Sequence, residues 1–234
     1  MLRPCRRSDF LLPEPPEPDR RSDARKEDAK EVSTRRDATA GAILAGGKSS
    51  RMGQDKALLP LHGIPMIRHI ATAMQSVVPS VCIVSDRSAP YRFLNLPVCP
   101  DLVKEAGPLG GIHAALTHLG APAVLVSGCD TPYLTTPLFR HLLETPHRSP
   151  ALVARAADGV HPLCGIYHRE ALPVIEQFLG SGRFKLLDLL AELQADTVAI
   201  TPDLPFFRPG ILLNVNDTRL LQQLNDDDTR GMTR

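Results

Sequence analysis

GAILAGGKSSRMGQDKALL, residues 41–59, is the stretch on which the reading of this chain turns. GAILAG is a short apolar run of the kind that forms a buried strand. The run breaks into Gly46 and Gly47, then passes Lys48, Arg51, Asp55 and Lys56 before turning apolar again. Such a boundary has two readings. In one it is a phosphate site. Gly46 and Gly47 let backbone N–H groups approach a ligand closely, and a run of exposed amides makes an anion-binding concavity. Arg51 and Lys56 bring positive charge to the same place, and Gly53 lets the chain turn between them. In the other it is an ordinary strand-to-helix turn with solvated charges around it.

GKS at Gly47–Ser49 invites comparison with the Walker A loop, G-x-x-x-x-G-K-[ST], whose first glycine stands five residues before the second. That position holds Ala42, and Gly41 comes one residue too early. The residues between are strand-like, so the spacing excludes a P-loop. The G-x-G-x-x-G fingerprint is absent too, which leaves a nicotinamide-dependent Rossmann enzyme without support.

From Thr39 onward strand and helix patterns alternate. In IPMIRHIATAMQSV, Ile64, Ile67, Ile70, Ala71 and Met74 fall on one helical face. SVCIVS and the shorter LPVCPD read as strands. GPLGGIHAALTHLG opens with Gly-Pro and closes on Gly120, the signals of helix ends. PAVLVSGCD is a further strand, and TTPLFRHLLE a helix with Pro137 near its start. PALVARA and HPLCGIYH follow as strands, and ALPVIEQFLG and RFKLLDLLAEL as helices. DTVAIT and GILLNVN read as two late strands, with DTRLLQQL as a last helix. Near-continuous apolar strands alternating with helices predict an α/β three-layer sandwich around a mostly parallel mixed sheet. Ligands of such sheets bind beyond the carboxyl ends of the strands. LAGG, the turn at Asp101, GCD and NVND are all placed at strand ends and so face one crevice.

Composition narrows the function classes. Aromatics make up 4% and there is no Trp, which disfavours a base-stacking platform. A formal net charge of +1 leaves no broad electrostatic footprint for nucleic acid. Cys5, Cys82, Cys99, Cys129 and Cys164 are scattered and odd in number, with no C-x-x-C pair, so neither a zinc site nor a disulfide framework is expected. A reducing cytoplasm suits them. No apolar run approaches a membrane span, and the Arg-rich start lacks the apolar core of a secretory signal.

Residues 1–39 differ from the rest. PEPPEP favours extended polyproline conformation, and the mixed charges after it cannot build a core. The stretch reads as a disordered extension or an over-long translation start, with a partner-binding tail as the functional alternative. Residues 40–226 form the expected domain, and 227–234 a frayed C-terminal tail.

LAGGKSSRMGQDKALL closely resembles the signature of the molybdenum cofactor guanylyltransferases, the MobA family, which runs roughly L-A-G-G-x-S-x-R-M-G-x-D-K-x-L. GPLGGIHAAL at Gly107–Leu116, GCDTPYL at Gly128–Leu134, HPLCGIY at His161–Tyr167 and NVND at Asn214–Asp217 resemble further segments of that family, in order, over residues 40–225. The resemblance implies the nucleotide-diphospho-sugar transferase fold and transfer of GMP from GTP to the phosphate of molybdopterin, or of its molybdenum-loaded form, with release of pyrophosphate. It implies that Leu44, Ala45, Gly46 and Gly47 line the nucleotide, that Arg51 and Lys56 serve the triphosphate, and that Asp130 binds Mg²⁺ and shares the catalytic role with them. Asn216 is a second metal candidate, since its side-chain carbonyl could reach the ion; as a bare residue it could equally close a turn. Asp130 on its own would read as a turn or cap residue. Asp101 carries nucleotide binding over from the resemblance, a carboxylate being able to accept the N1–H and N2–H₂ edge of guanine. A further family position falls near Ser85–Arg87. There VSDR stands where the family often has Asn, and Asp86 is the residue suggested.

His161 falls on the pterin side in the family. It is not expected to act as a general base, because the attacking phosphate is already anionic and needs positioning and charge neutralisation. The implied partners are GTP and molybdopterin, with apo-molybdoenzymes or their chaperones as candidate recipients. Two alternatives stay open. One is a sibling transferase using CTP on molybdopterin or another nucleotide on a sugar phosphate, against which the LAGG form resembles the guanine branch. The other is a non-catalytic nucleotide-binding carrier of molybdopterin.

Overall fold

The computed structural model describes residues 38–46 and 55–231, with side chains given as far as Asp226. Gly47 and Arg51, both singled out above, lie outside the described residues, as do residues 1–37. In chain order the elements are β1 (Thr39–Leu44), β2 (Pro60–Leu61), β3 (Ile64–Pro65), α1 (Met66–Gln75), β4 (Val81–Val84), β5 (Val98–Cys99), α2 (Gly107–Leu119), β6 (Ala123–Gly128), α3 (Thr136–Glu144), β7 (Ala151–Ala156), β8 (Gly159–His168), α4 (Leu172–Gly180), α5 (Leu186–Glu192), β9 (Asp196–Ala199) and α6 (Thr218–Gly231). Short 3₁₀ turns stand at Lys56–Leu58, Ala89–Leu94 and Arg169–Ala171.

Among the described residues, β1 and β4–β9 form a seven-stranded sheet in the order β5-β4-β1-β6-β8-β7-β9. Its strands run parallel except β8, which is antiparallel to both β6 and β7. The expected mostly parallel mixed sheet is therefore the one observed. Alternate side chains of each central strand feed two separate cores, as the period-2 geometry of a strand requires. Ile43, Ile83 and Leu125 pack with Ile67, Ile70 and Met74 of α1 and Leu138, Phe139 and Leu142 of α3. Leu44, Val84, Val124 and Val126 pack on the other face with Ile112 and Leu116 of α2, Phe178 of α4 and Leu189 of α5. Each fully buried aliphatic side chain contributes about 1.5–3 kcal/mol, so both helical layers are fixed to the sheet independently.

The strand order also places the crevice. The chain leaves β1, builds β4 and β5 on one side, and then returns past β1 to build β6 on the other. Connections diverge at the carboxyl end of β1, which is where an open α/β sheet takes its ligand. That end is anchored on both sides: Ala45 N–H donates to Val84 O at 3.0 Å, and Leu44 O accepts from Cys129 N–H at 3.1 Å.

Two expectations need correction. GILLNVN is not a strand. Leu213 N–H closes a turn onto Gly210 O at 2.8 Å, and Val215 N–H bonds to Asp130 O at 2.7 Å. Ile211, Leu212 and Val215 are nonetheless buried. Their apolarity serves packing without a ladder. Ile64 does not join the face of α1, which begins at Met66. It lies in β3, pairs with Leu61 across a two-residue hairpin, and is exposed. His62 and Gly63 at that hairpin have φ of 51° and 76°, the two positive values that a type I′ turn needs. The last helix extends beyond Leu224 to Gly231.

Candidate active site

Lys56 stands at the start of a 3₁₀ turn whose cap is Asp55. The Asp55 Oδ1 accepts from Ala57 N–H at 3.2 Å, which satisfies a backbone donor the turn leaves free. Asp55 Oδ2 is held by Tyr91 Oη and by the Arg87 guanidinium, each at 2.7 Å. The turn points the Lys56 ammonium into the crevice. There Nζ lies 3.0 Å from Asp130 Oδ2 and 2.5 Å from Asn216 Oδ1. Asp130 follows the end of β6, and its own backbone carbonyl accepts from Val215 N–H, so the 214–217 segment docks at the strand end and brings Asn216 with it. NVND therefore reaches the crevice as a loop, not as the end of a strand. The Lys56–Asp130 pair is only 14% and 22% exposed, which screens it less than a surface pair.

Asp101 stands at the opposite side of the same crevice, beyond β5. Its Oδ1 is buried with no hydrogen-bond donor among the described residues. Burial raises its carboxyl above the ordinary aspartate value, the neighbouring Asp86 carboxylate adds to this, and Lys104 opposes it. Gly46 lies directly against it: a Cβ there would meet Asp101 Oδ2 at 3.2 Å. A larger side chain at position 46 would press into the carboxylate, so glycine is what allows the end of β1 and the turn after β5 to share the space. Asp86 is half-exposed and occupied. Its Oδ1 accepts from Lys104 Nζ at 2.6 Å and from Asp101 N–H at 3.2 Å. The Lys104 ammonium holds the Asp86 carboxyl below its ordinary value.

Leu44, Ala45 and Gly46, Lys56, Asp86, Asp101, Asp130 and Asn216 thus all gather at one edge of the sheet. His161 lies elsewhere on that edge, where β8 begins, with Nε2 3.0 Å from Asp158 Oδ1. Tyr91 and Arg87 were not singled out from the sequence. Asp55 carries a local signal as a cap ahead of Lys56. Tyr91 carries none, because its partners are distant in the chain. Partial burial and the neighbouring Asp130 carboxylate push the Cys129 thiol up to about 12; a neutral thiol is a poor nucleophile. Among the described residues no group of three or more His, Cys, Asp or Glu side chains could hold a metal ion, and no helix is long and apolar enough to cross a membrane.

Comparison with known proteins identifies the family. Residues 41–198 match the MobA-like NTP transferase domain. The chain is 37% identical over 177 residues to the "Probable molybdenum cofactor guanylyltransferase" of Carboxydothermus hydrogenoformans, covering 75% of this chain and 89% of that one. It is 34% identical over 179 residues to the molybdenum cofactor guanylyltransferase of Desulfosudis oleivorans, covering 73% and 89%. The crystal structure of molybdopterin-guanine dinucleotide biosynthesis protein A from Archaeoglobus fulgidus superposes with a TM-score of 0.68 at 23% identity, over 82% of this chain and 99% of that one, which is a likeness of fold. A family match over residues 41–198, together with relatives more than 30% identical over about nine-tenths of their length, has one meaning: the chain belongs to the MobA-like NTP transferase family.

Proposed function

We propose that this protein transfers GMP from GTP to the terminal phosphate of molybdopterin, or of molybdenum-loaded molybdopterin, releasing pyrophosphate and forming a guanine dinucleotide cofactor. The observation that carries the reading is the meeting of Lys56, Asp130 and Asn216 at the carboxyl edge of the sheet. Relatives that are more than 30% identical over most of their length bear the name of that activity.

The attacking oxygen belongs to a phosphate monoester and the leaving group is pyrophosphate. One P–O bond forms at the α-phosphorus as another breaks, and the product is a phosphoanhydride. Little proton transfer is required; the demand is for charge neutralisation and alignment. Lys56 supplies a fixed ammonium to the phosphate oxygens, with Arg51 proposed as a second cation. The amides of Gly46 and Gly47 are proposed to donate to the same oxygens. Leu44 and Ala45 form the floor on which the nucleotide lies. At the other side of the crevice, Asp101 has a buried oxygen with no donor among the described residues. Guanine offers two adjacent donors, N1–H and N2–H₂, and cytosine only its amino group, which favours GTP over CTP. Asp86, bonded to the Asp101 backbone, is proposed to support the base or ribose end.

Mg²⁺ fits the donor set. Asp130 and Asn216 present one carboxylate and one carboxamide oxygen, both hard donors, already converging on a single cationic atom, the Lys56 nitrogen. Asp130 and Asn216 would hold such an ion, and it would supply charge neutralisation at the phosphates. The test is incorporation of GMP into molybdopterin by the wild-type protein and by Asp130→Ala. We expect the wild type to form the dinucleotide and the variant to lose turnover while keeping its fold. Unchanged turnover in Asp130→Ala would remove that residue from the mechanism. Nucleotide binding with no transfer by the wild type would favour a molybdopterin carrier.

A further inference from the structure

Tyr91 stands outside the set that touches substrate, yet it links the pieces that do. It lies in the 3₁₀ turn Ala89–Leu94 and is completely buried, its ring packed in the core under α1. The hydroxyl reaches two acceptors on different segments: Asp55 Oδ2 at 2.7 Å and the Ala45 carbonyl at 3.2 Å. One belongs to the cap of the turn that carries Lys56, and the other to the end of β1. A phenol has one proton, so the short bond to the carboxylate is the strong one and the carbonyl shares the same hydrogen. Burial, and next the hydrogen bond to Asp55, raise the phenol above its ordinary value, so it stays a donor across the working range.

We infer that Tyr91 is a positioning residue for the transfer reaction: its hydroxyl ties the Asp55-capped turn to the end of β1 and so sets the Lys56 ammonium over Asp130 and Asn216. The inference rests on the reading of Lys56 given under the proposed function. The ring alone fills the core, and that packing is a separate matter from the hydroxyl. Arg87 is the other partner of Asp55 Oδ2 among the described residues, but its side chain is 60% exposed and bridges to no described part of β1. The Asp55 carboxylate is itself only 8% exposed, but a guanidinium reaching it from solvent fixes its position less firmly than a fully buried phenol.

Tyr91→Phe keeps the ring and removes the hydroxyl, with its bonds to Asp55 and Ala45 and its contact with Ser85. We expect the KM for GTP to rise about tenfold or more, the scale of losing a hydrogen bond to a charged group. The KM for molybdopterin should change little, and the melting midpoint should fall by no more than the loss of one buried hydrogen bond explains. A double-mutant cycle with Asp55→Asn should be strongly non-additive, Tyr91→Phe costing little once Asp55 is gone. Wild-type KM and kcat in Tyr91→Phe would overturn the inference. So would a fall in kcat that tracks lost folded protein with KM unchanged, or additive effects in the cycle. The wild type is first assayed with GTP, CTP, ATP and UTP, so failure of the guanylyl reading shows there. The Tyr91→Phe ratio is then read on whichever nucleotide turns over, or on the Kd for GTP with Mg²⁺ if none does.

Discussion

Lys56 shows how one side chain acquires a function that its type alone does not imply. An exposed lysine pairing with a carboxylate gains at most about 1 kcal/mol. Here the ammonium is largely withdrawn from water and faces two oxygens from segments far away in the chain. We expect Lys56→Ala to lower the rate of pyrophosphate release by about 10²–10³-fold, with an unchanged circular dichroism spectrum. Asp101 supplies a pH prediction. Its carboxyl is raised by burial, so ionising it is unfavourable in the folded state. That cost to stability is present at neutral pH and vanishes as the pH falls below the group's unfolded-state value. A base donor needs the ionised form. The kcat/KM for GTP, which reports the free enzyme, should therefore fall on the acid side with a midpoint above the ordinary aspartate value. Asp101→Asn should be less active throughout and lack that limb. A limb that persists in Asp101→Asn would assign it to another group. Asp101 as a residue after a strand was legible in the sequence. That its Oδ1 has no donor among the described residues was not, because that depends on what surrounds it in three dimensions.

Elements were legible where local pattern and tertiary role agree. PAVLVSGCD opens on an apolar run with β-branched Val124 and Val126 and is the central strand β6, packed in both cores. GILLNVN has the same look but loses its ladder to a turn at Gly210 and to docking against Asp130. An apolar run reports burial, and only pairing makes a strand. The β2–β3 hairpin went unread because its strands are two residues each, too short to show alternation, although the His62-Gly63 turn is a recognisable punctuator. Gly165 on β8 tests the account of the sheet. It pairs with Val126 on one side and Val153 on the other, beside the register shift in β7. A Cβ there would meet the Leu152 carbonyl at 2.4 Å and Val153 Cα at 2.9 Å. Those are backbone atoms and cannot swing aside. Gly165→Ala should destabilise the fold by about 1–3 kcal/mol, seen as a lower midpoint in denaturant with an unchanged slope. An unaltered midpoint would show that β7 and β8 are less closely apposed than described.

The whole molecule follows from one arrangement. A parallel sheet collects the ends of β1, β5 and β6, and the 214–217 loop joins them at the same edge. The sandwich was legible because alternating strands and helices admit few topologies. The crevice followed from the rule for parallel sheets. The tie from Tyr91 to Asp55 and Ala45 was not legible, since it spans three segments without periodicity. The chemistry above the level of a phosphate site rests on the resemblance of LAGGKSSRMGQDKALL and the later segments to their family, and the family match covers residues 41–198. The first strand begins at Thr39, and a chain starting just before it should fold and keep its turnover; a large loss of activity would tie residues 1–37 to the site or to an interface. The central claim is best tested by pyrophosphate release in the presence of Mg²⁺ and molybdopterin, with GTP compared against CTP, ATP and UTP. We predict release with GTP alone. Release with CTP in its place would keep the fold and the phosphate chemistry but contradict the assignment of guanine to the Asp101 pocket.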